Sequence, residues 1–222
     1  MTLPGRRVVV TGVGRLASIG TGREAFWRAR LAGRSGISPV ESFGTRRYVL
    51  HLGGGVKDFS PGPLVTRLPR DTASRTLQMA MAAAHLAPAD AGVPDDGRPP
   101  RRTGWCWERR QAGPRTSNDS TRRRLPATRR ASATRRYPCH GLAANVAAEL
   151  GMAGPNLVIP TACAAGNYAV AQAFDTLGSG AADVMLAGGS DGFSRITSTG
   201  FARLGAIAPE RCQPFDRSPA CA

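Results

Sequence analysis

The stretch "NLVIPTACAAGNYAV", residues 156–170, sets Cys163 directly after a short apolar run and directly before an alanine- and glycine-rich stretch of helical character. A thiol at the tip of a strand and in the first turn of a helix meets unpaired backbone N–H groups and the positive end of the helix dipole, and both favour the thiolate. Such a thiolate can attack an acyl carbon. The same N–H groups can hold the oxyanion that forms on an attacked thioester, so one turn supplies a nucleophile and part of an oxyanion hole. Free cysteine is also among the most buried residue types, and position alone leaves both readings open.

The elements that would carry this turn follow from pattern. "RVVVTGV" (7–13) has the β-branched run of a buried strand entering a glycine turn. "GREAFWRARLAG" (22–33) spaces Phe26, Arg30 and Leu31 as a helix and stops at Gly33. Residues 34–66, rich in Gly and Pro, are expected to be loops and short strands. The next helix is expected from an N-cap at Asp71 or Thr72, through Leu77, Met81 and Ala84, to a stop near Pro88. After residue 136 come a helix over 141–151, the strand "NLVIP", a helix over 163–177 with Gly178 as stop, and a strand over 182–189. Strands alternating with helices indicate a layered α/β sheet.

The formal charge is +15, but residues 98–136 hold thirteen arginines against Glu108 and Asp119 and so carry +11 of it. Lys57 is the only lysine, a bias that points to a GC-rich coding sequence. The five cysteines (106, 139, 163, 212 and 221) form no CxxC pair, and with three histidines they show no metal-site spacing. A reducing cytoplasm fits them, and no apolar run has the length of a membrane span. "GVGRLASIG" (12–20) lacks the strict GxGxxG spacing of a dinucleotide loop and reads as a turn.

Four stretches in this order, "RRVVVTGVG", "TACAAG" around Cys163, "ADVMLAGGSDG" and "PFDR", resemble the β-ketoacyl-acyl carrier protein synthases of the thiolase-like superfamily. The resemblance covers roughly 1–93 and 137–217. It implies a thiolase-like layered αβα fold, here an N-terminal half incomplete at its C-terminus. It also implies a decarboxylative condensation of acyl and malonyl thioesters through an acyl group carried on Cys163, in fatty acid or polyketide biosynthesis. Phe201 in "TGFARLGAI" resembles a residue lining the acyl pocket, and Arg67 and Arg70 resemble the contact with an acidic acyl carrier protein. The family forms homodimers through the strand leading to the cysteine, and no metal or redox cofactor is implied. Its two catalytic histidines lie downstream of the cysteine, whereas His51, His85 and His140 all precede Cys163. A catalytically inactive remnant is therefore the alternative reading.

Residues 94–136 separate the two matching parts, 1–93 and 137–222. Arginine pairs and triplets with scattered proline and little apolar periodicity predict disorder from residue 98 to 136. The genetic code offers an explanation. "GWCWE" (104–108), read from the third base of its first codon, permits Val-Val-Leu-Gly, and continuing through "RRQAG" permits "VVLGTTAGG", which looks like the strand and glycine turn the family places here. Residues from about 105 to 136 are accordingly expected to be translated out of frame. The rival, a basic insert that binds nucleic acid, lacks interleaved aromatic residues and any recognisable module.

Overall fold

The computed structural model describes residues 6–46, 48, 51–65, 67, 73–93, 102–109, 140–208, 212, 213 and 217. Its centre is a parallel sheet of three strands in the order β6-β5-β7, with β5 over Thr103–Arg109, β6 over Asn156–Ile159 and β7 over Val184–Ser190. Parallel neighbours need crossover connections, and helices supply them. α2 (Arg75–Asp90) and α3 (His140–Leu150) cover one face of the sheet, where Met81, Ala84, Leu142, Ala143 and Val146 are buried together with Val65, against Val158 and Leu186. α4 (Ala165–Gly178) covers the other, where Ala169 and Ala173 bury Cys106 against Ile159 and Met185. Successive residues of β6 and β7 thus serve opposite cores, as the two-residue period of a strand requires. The αβα layering expected from the sequence is present.

Two short hairpins flank this unit. β1 (Leu16–Ala17) pairs antiparallel with β2 (Gly20–Thr21), and β3 (Ser38–Pro39) with β4 (Leu52–Gly53). The first turns within "GVGRLASIG", as expected. α1 (Arg23–Leu31) follows it and ends before Gly33 at φ 62°, a conformation that suits glycine. α1 buries Ala29 and half-buries Phe26, while Leu31 is exposed.

Other expectations fail for physical reasons. Residues 7–13 form no ladder among the described residues, and Val9 and Val10 are 72% and 82% exposed. A β-branched run supplies propensity but not the hydrogen-bonded neighbour a strand needs. The segment instead crosses α2, where the Val13 N–H donates to Asp90 and β-carbons at Gly12 or Gly14 would collide with the Ala87 and Ala83 carbonyl oxygens. α2 is capped not by residue 71 or 72 but by Ser74, whose hydroxyl accepts from the Leu77 N–H at 3.2 Å. Nor does it stop at Pro88. A proline in the last turn removes one helical hydrogen bond, and the packing of α2 on α3 outweighs that loss until Gly92 turns the chain at φ 68°.

The expectation of disorder over 98–136 is overturned for Thr103–Arg109, which form the middle strand of the sheet. Strand pairing uses backbone groups, so a ladder can form on a sequence that lacks an apolar run. Residues 110–139 lie outside the described residues.

Candidate active site

Cys163 is exposed and sits in a single 3-10 turn, Ala162–Ala164, between the end of β6 and the start of α4. The strand-turn-helix setting expected for it is therefore present. Ala164 caps α4 and makes no side-chain hydrogen bond to the first turn, so no side chain competes there for the N–H groups. Cys106, in contrast, is wholly buried under α4, and burial pushes its thiol up from the usual range. One cysteine is open to reagents at a helix start and the other is sealed in the core as a neutral thiol.

Because β6 and β7 both run parallel to β5, their C-terminal ends leave the sheet at the same edge, two strand spacings or about 10 Å apart. β6 delivers Cys163 there. β7 delivers the loop into α5 (Arg195–Arg203), whose N-cap Ser194 accepts from the Thr197 N–H at 3.2 Å. Phe201 rides on α5, half-buried. The topology thus brings the elements carrying Cys163 and Phe201 to one end of the sheet, although among the described residues no hydrogen bond or ring contact joins the two side chains.

A neighbouring face of α5 closes an apolar cleft that sequence reasoning missed. Phe43, Tyr48, Leu52, Ala202 and Ile207 line it, and Phe201 does not. Phe43 stacks on Phe193 at 5.7 Å between ring centroids, and the Tyr48 hydroxyl lies 3.4 Å from Thr199 Oγ1. No spacing of Phe43 and Tyr48 in the sequence signals this cleft, because its walls come from the β3–β4 region and from a helix about 150 residues away.

Arg67 is exposed on the other side of the sheet, next to α3. Its N–H donates to both carboxylate oxygens of Glu149, at 3.1 and 3.0 Å. Arg70 lies outside the described residues, as do Phe215 and Asp216 of the "PFDR" motif. Of the histidines, His85 of α2 faces Glu149 with Nε2 3.6 Å from Oε1, and the His51 carbonyl pairs with the Val40 N–H in the β3–β4 hairpin. Among the described residues no group of three metal-ligating side chains is assembled, and no helix is long and apolar enough to cross a membrane.

Residues 5–219 match the family model for the β-ketoacyl synthase N-terminal domain. The chain belongs to that family. It is 33% identical over 218 residues to nodulation protein E of Rhizobium sp. (strain N33), an alignment covering 95% of this chain and 53% of that protein. It is 30% identical over 204 residues to 3-oxoacyl-[acyl-carrier-protein] synthase 2 of Vibrio cholerae serotype O1, covering 90% of this chain and 49% of that one. Among solved structures, the ishigamide ketosynthase/chain length factor superposes with a TM-score of 0.87 at 34% identity, over 98% of this chain and 55% of that chain. A ketosynthase of a type II polyketide system, solved with its acyl-carrier protein and bound to the hexaketide, superposes with a TM-score of 0.77 at 27% identity and the same coverage. The chain thus spans about half the length of the relatives it matches, and its fold is the N-terminal half of the thiolase-like ketosynthase fold.

Proposed function

We propose that this chain carries the acyl-accepting half of a β-ketoacyl synthase, with Cys163 as the nucleophile. The observation that carries the reading is an exposed thiol on the turn between the parallel edge strand β6 and a helix start free of side-chain capping. In the proposed step the Cys163 sulfur attacks the carbonyl of an acyl thioester on a carrier protein. A carbon–sulfur bond to Cys163 forms as the one to the carrier breaks, and the released carrier thiolate takes up a proton. The backbone N–H groups at the start of α4 stabilise the negative charge on the carbonyl oxygen. Decarboxylation of a malonyl thioester then yields a carbanion that attacks the acyl-enzyme, forms the β-ketoacyl product and returns the thiolate of Cys163.

The second step needs donors on the malonyl thioester oxygen, and no histidine follows Cys163 in this chain. This favours the further reading that the 222 residues accept an acyl group but do not by themselves condense it. Phe201 is assigned to the wall of the acyl pocket because α5 leaves the same sheet edge as Cys163. Arg67 and Arg70 are assigned to the acidic carrier. Arg67 is exposed, and the type II polyketide ketosynthase that superposes on the chain was solved with its acyl-carrier protein. A homodimer through β6 fits its place as an edge strand without charged residues. A reducing cytoplasm fits Cys106, Cys163 and Cys212, none of which is in a disulfide.

Sequential addition of acyl-carrier and malonyl-carrier thioesters, read by intact mass and product analysis, separates the steps. An acyl adduct on Cys163 without a β-ketoacyl product is the expected result. A released β-ketoacyl product would show that residues within this chain replace the downstream histidines.

A further inference from the structure

Glu149 is a buried carboxylate that neither the nucleophile turn nor the sheet requires. It is 1% exposed, and its spacing from Leu142 and Val146 puts it on the face of α3 that packs against α2. A carboxylate removed from water needs donors directed at it. The Arg67 N–H supplies one, bonded to both oxygens at 3.1 and 3.0 Å. From α2, His85 brings Nε2 to 3.6 Å of Oε1. Two residues before Arg67, Val65 is 1% exposed within the α2–α3 core. The backbone is therefore anchored at residue 65 by burial and at residue 67 by hydrogen bonds.

The side chain of Arg67 stays exposed, with its guanidinium over Gly151, where a β-carbon would lie 2.8 Å from Nη1. Gly151, at φ 68°, ends α3, so the cation rests where the helix dipole is negative. Simple packing of α2 on α3 would be served as well by an apolar residue at 149. Among its partners, the carboxylate holds one backbone N–H in place, that of the exposed arginine.

We propose that Glu149 is a positioning residue: its buried carboxylate fixes the Arg67 backbone so that the guanidinium is presented, pre-ordered, to an acidic carrier protein. This rests on the reading of Arg67 as a carrier contact. Fixing a long cationic side chain before binding removes ordering entropy that would otherwise oppose association.

Glu149→Leu removes both acceptors, and Glu149→Gln keeps one oxygen in nearly the same volume. In the full chain, hydrogen exchange at the Arg67 amide should speed up by about tenfold or more in Glu149→Leu, with Glu149→Gln in between. Affinity for an acidic acyl carrier protein, measured by fluorescence anisotropy at low salt, should fall about three- to tenfold in Glu149→Leu and recover in part in Glu149→Gln. The rate of Cys163 alkylation should not change, whereas a general loss of structure would change it. Arg67→Ala should weaken the carrier by itself, and adding Glu149→Leu should weaken it no further. If Arg67→Ala weakens the carrier while both Glu149 variants bind it normally, the positioning role is overturned. If Arg67→Ala binds the carrier normally while the Arg67 amide still exchanges faster in Glu149→Leu, the carrier reading falls instead, and with it the purpose assigned to Glu149.

Discussion

Cys106 of the middle strand and Ala169 of α4 are buried together without exposed surface, so the helix that begins just after Cys163 is the lid over the other thiol of the sheet. The two cysteines therefore belong to opposite environments. Iodoacetamide should modify Cys163 in the folded chain while Cys106 reacts only on unfolding. Cys212 is the sharper control, since it is exposed too but lies outside any described helix. Peptide mapping should find Cys163 faster than Cys212 by about tenfold, because Cys163 stands exposed at a helix start and Cys212 does not. Equal rates at the two would remove the site assignment.

The buried Cys106 thiol also predicts an alkaline limit. Burial raises its folded value above the ordinary 9.0, so the unfolded chain ionises first as pH rises. The stability associated with the neutral thiol is intact below that ordinary value and is lost as pH climbs through the folded one. Denaturant midpoints measured from pH 8 to pH 11 should fall more steeply for the parent than for Cys106→Ala. Parallel curves would mean that water reaches Cys106.

The register of β5 sharpens the question of its reading frame. Glu108 pairs with Ile159 and Gly189, and Arg109 with Ser190, in a strand flanked on both sides within a sheet covered by helices on both faces. Such strands are ordinarily apolar throughout. A chain recoded from residue 105 to 136 in the displaced frame, with Val-Val-Leu-Gly in β5, should melt higher by about 2–4 °C or more. Sequencing the gene through codon 105 should reveal a single-base displacement. An unchanged gene together with an unchanged melting temperature would show that the written strand is the native one.

β6 exposes Asn156 and Leu157 along an edge that pairs with no strand among the described residues, so Leu157→Lys should keep a dimer from forming while leaving the monomer folded. Sedimentation of the parent and the variant checks this. A monomeric parent, or a dimer that survives the lysine, would place any self-association elsewhere.

The parts of the fold that the sequence made legible are those set by local pattern. Leu77, Met81 and Ala84 announce α2, and the run Asn156–Ile159 followed by small residues announces the β6–α4 turn. The strand expected at 7–13 fails because pairing depends on a neighbour that no local pattern specifies. β5 was hidden for a different reason, since its side-chain pattern contradicts its position. Glu149 left a usable trace: it falls on the apolar spacing of Leu142 and Val146, and a charged residue on a buried face must have a partner. That the partner is the Arg67 N–H, 82 residues away, only the folded chain could show.

The central claim is that Cys163 receives the acyl group, and the most direct measurement is intact mass spectrometry of the full chain after incubation with an acyl-carrier thioester, beside Cys163→Ala. Cys163 is exposed, so its replacement should change stability by no more than about 0.5 kcal/mol. The account predicts one acyl adduct on the parent, mapped to the peptide containing Cys163, and none on the folded variant. An adduct retained by Cys163→Ala, or a folded parent that takes up no acyl group, would contradict it.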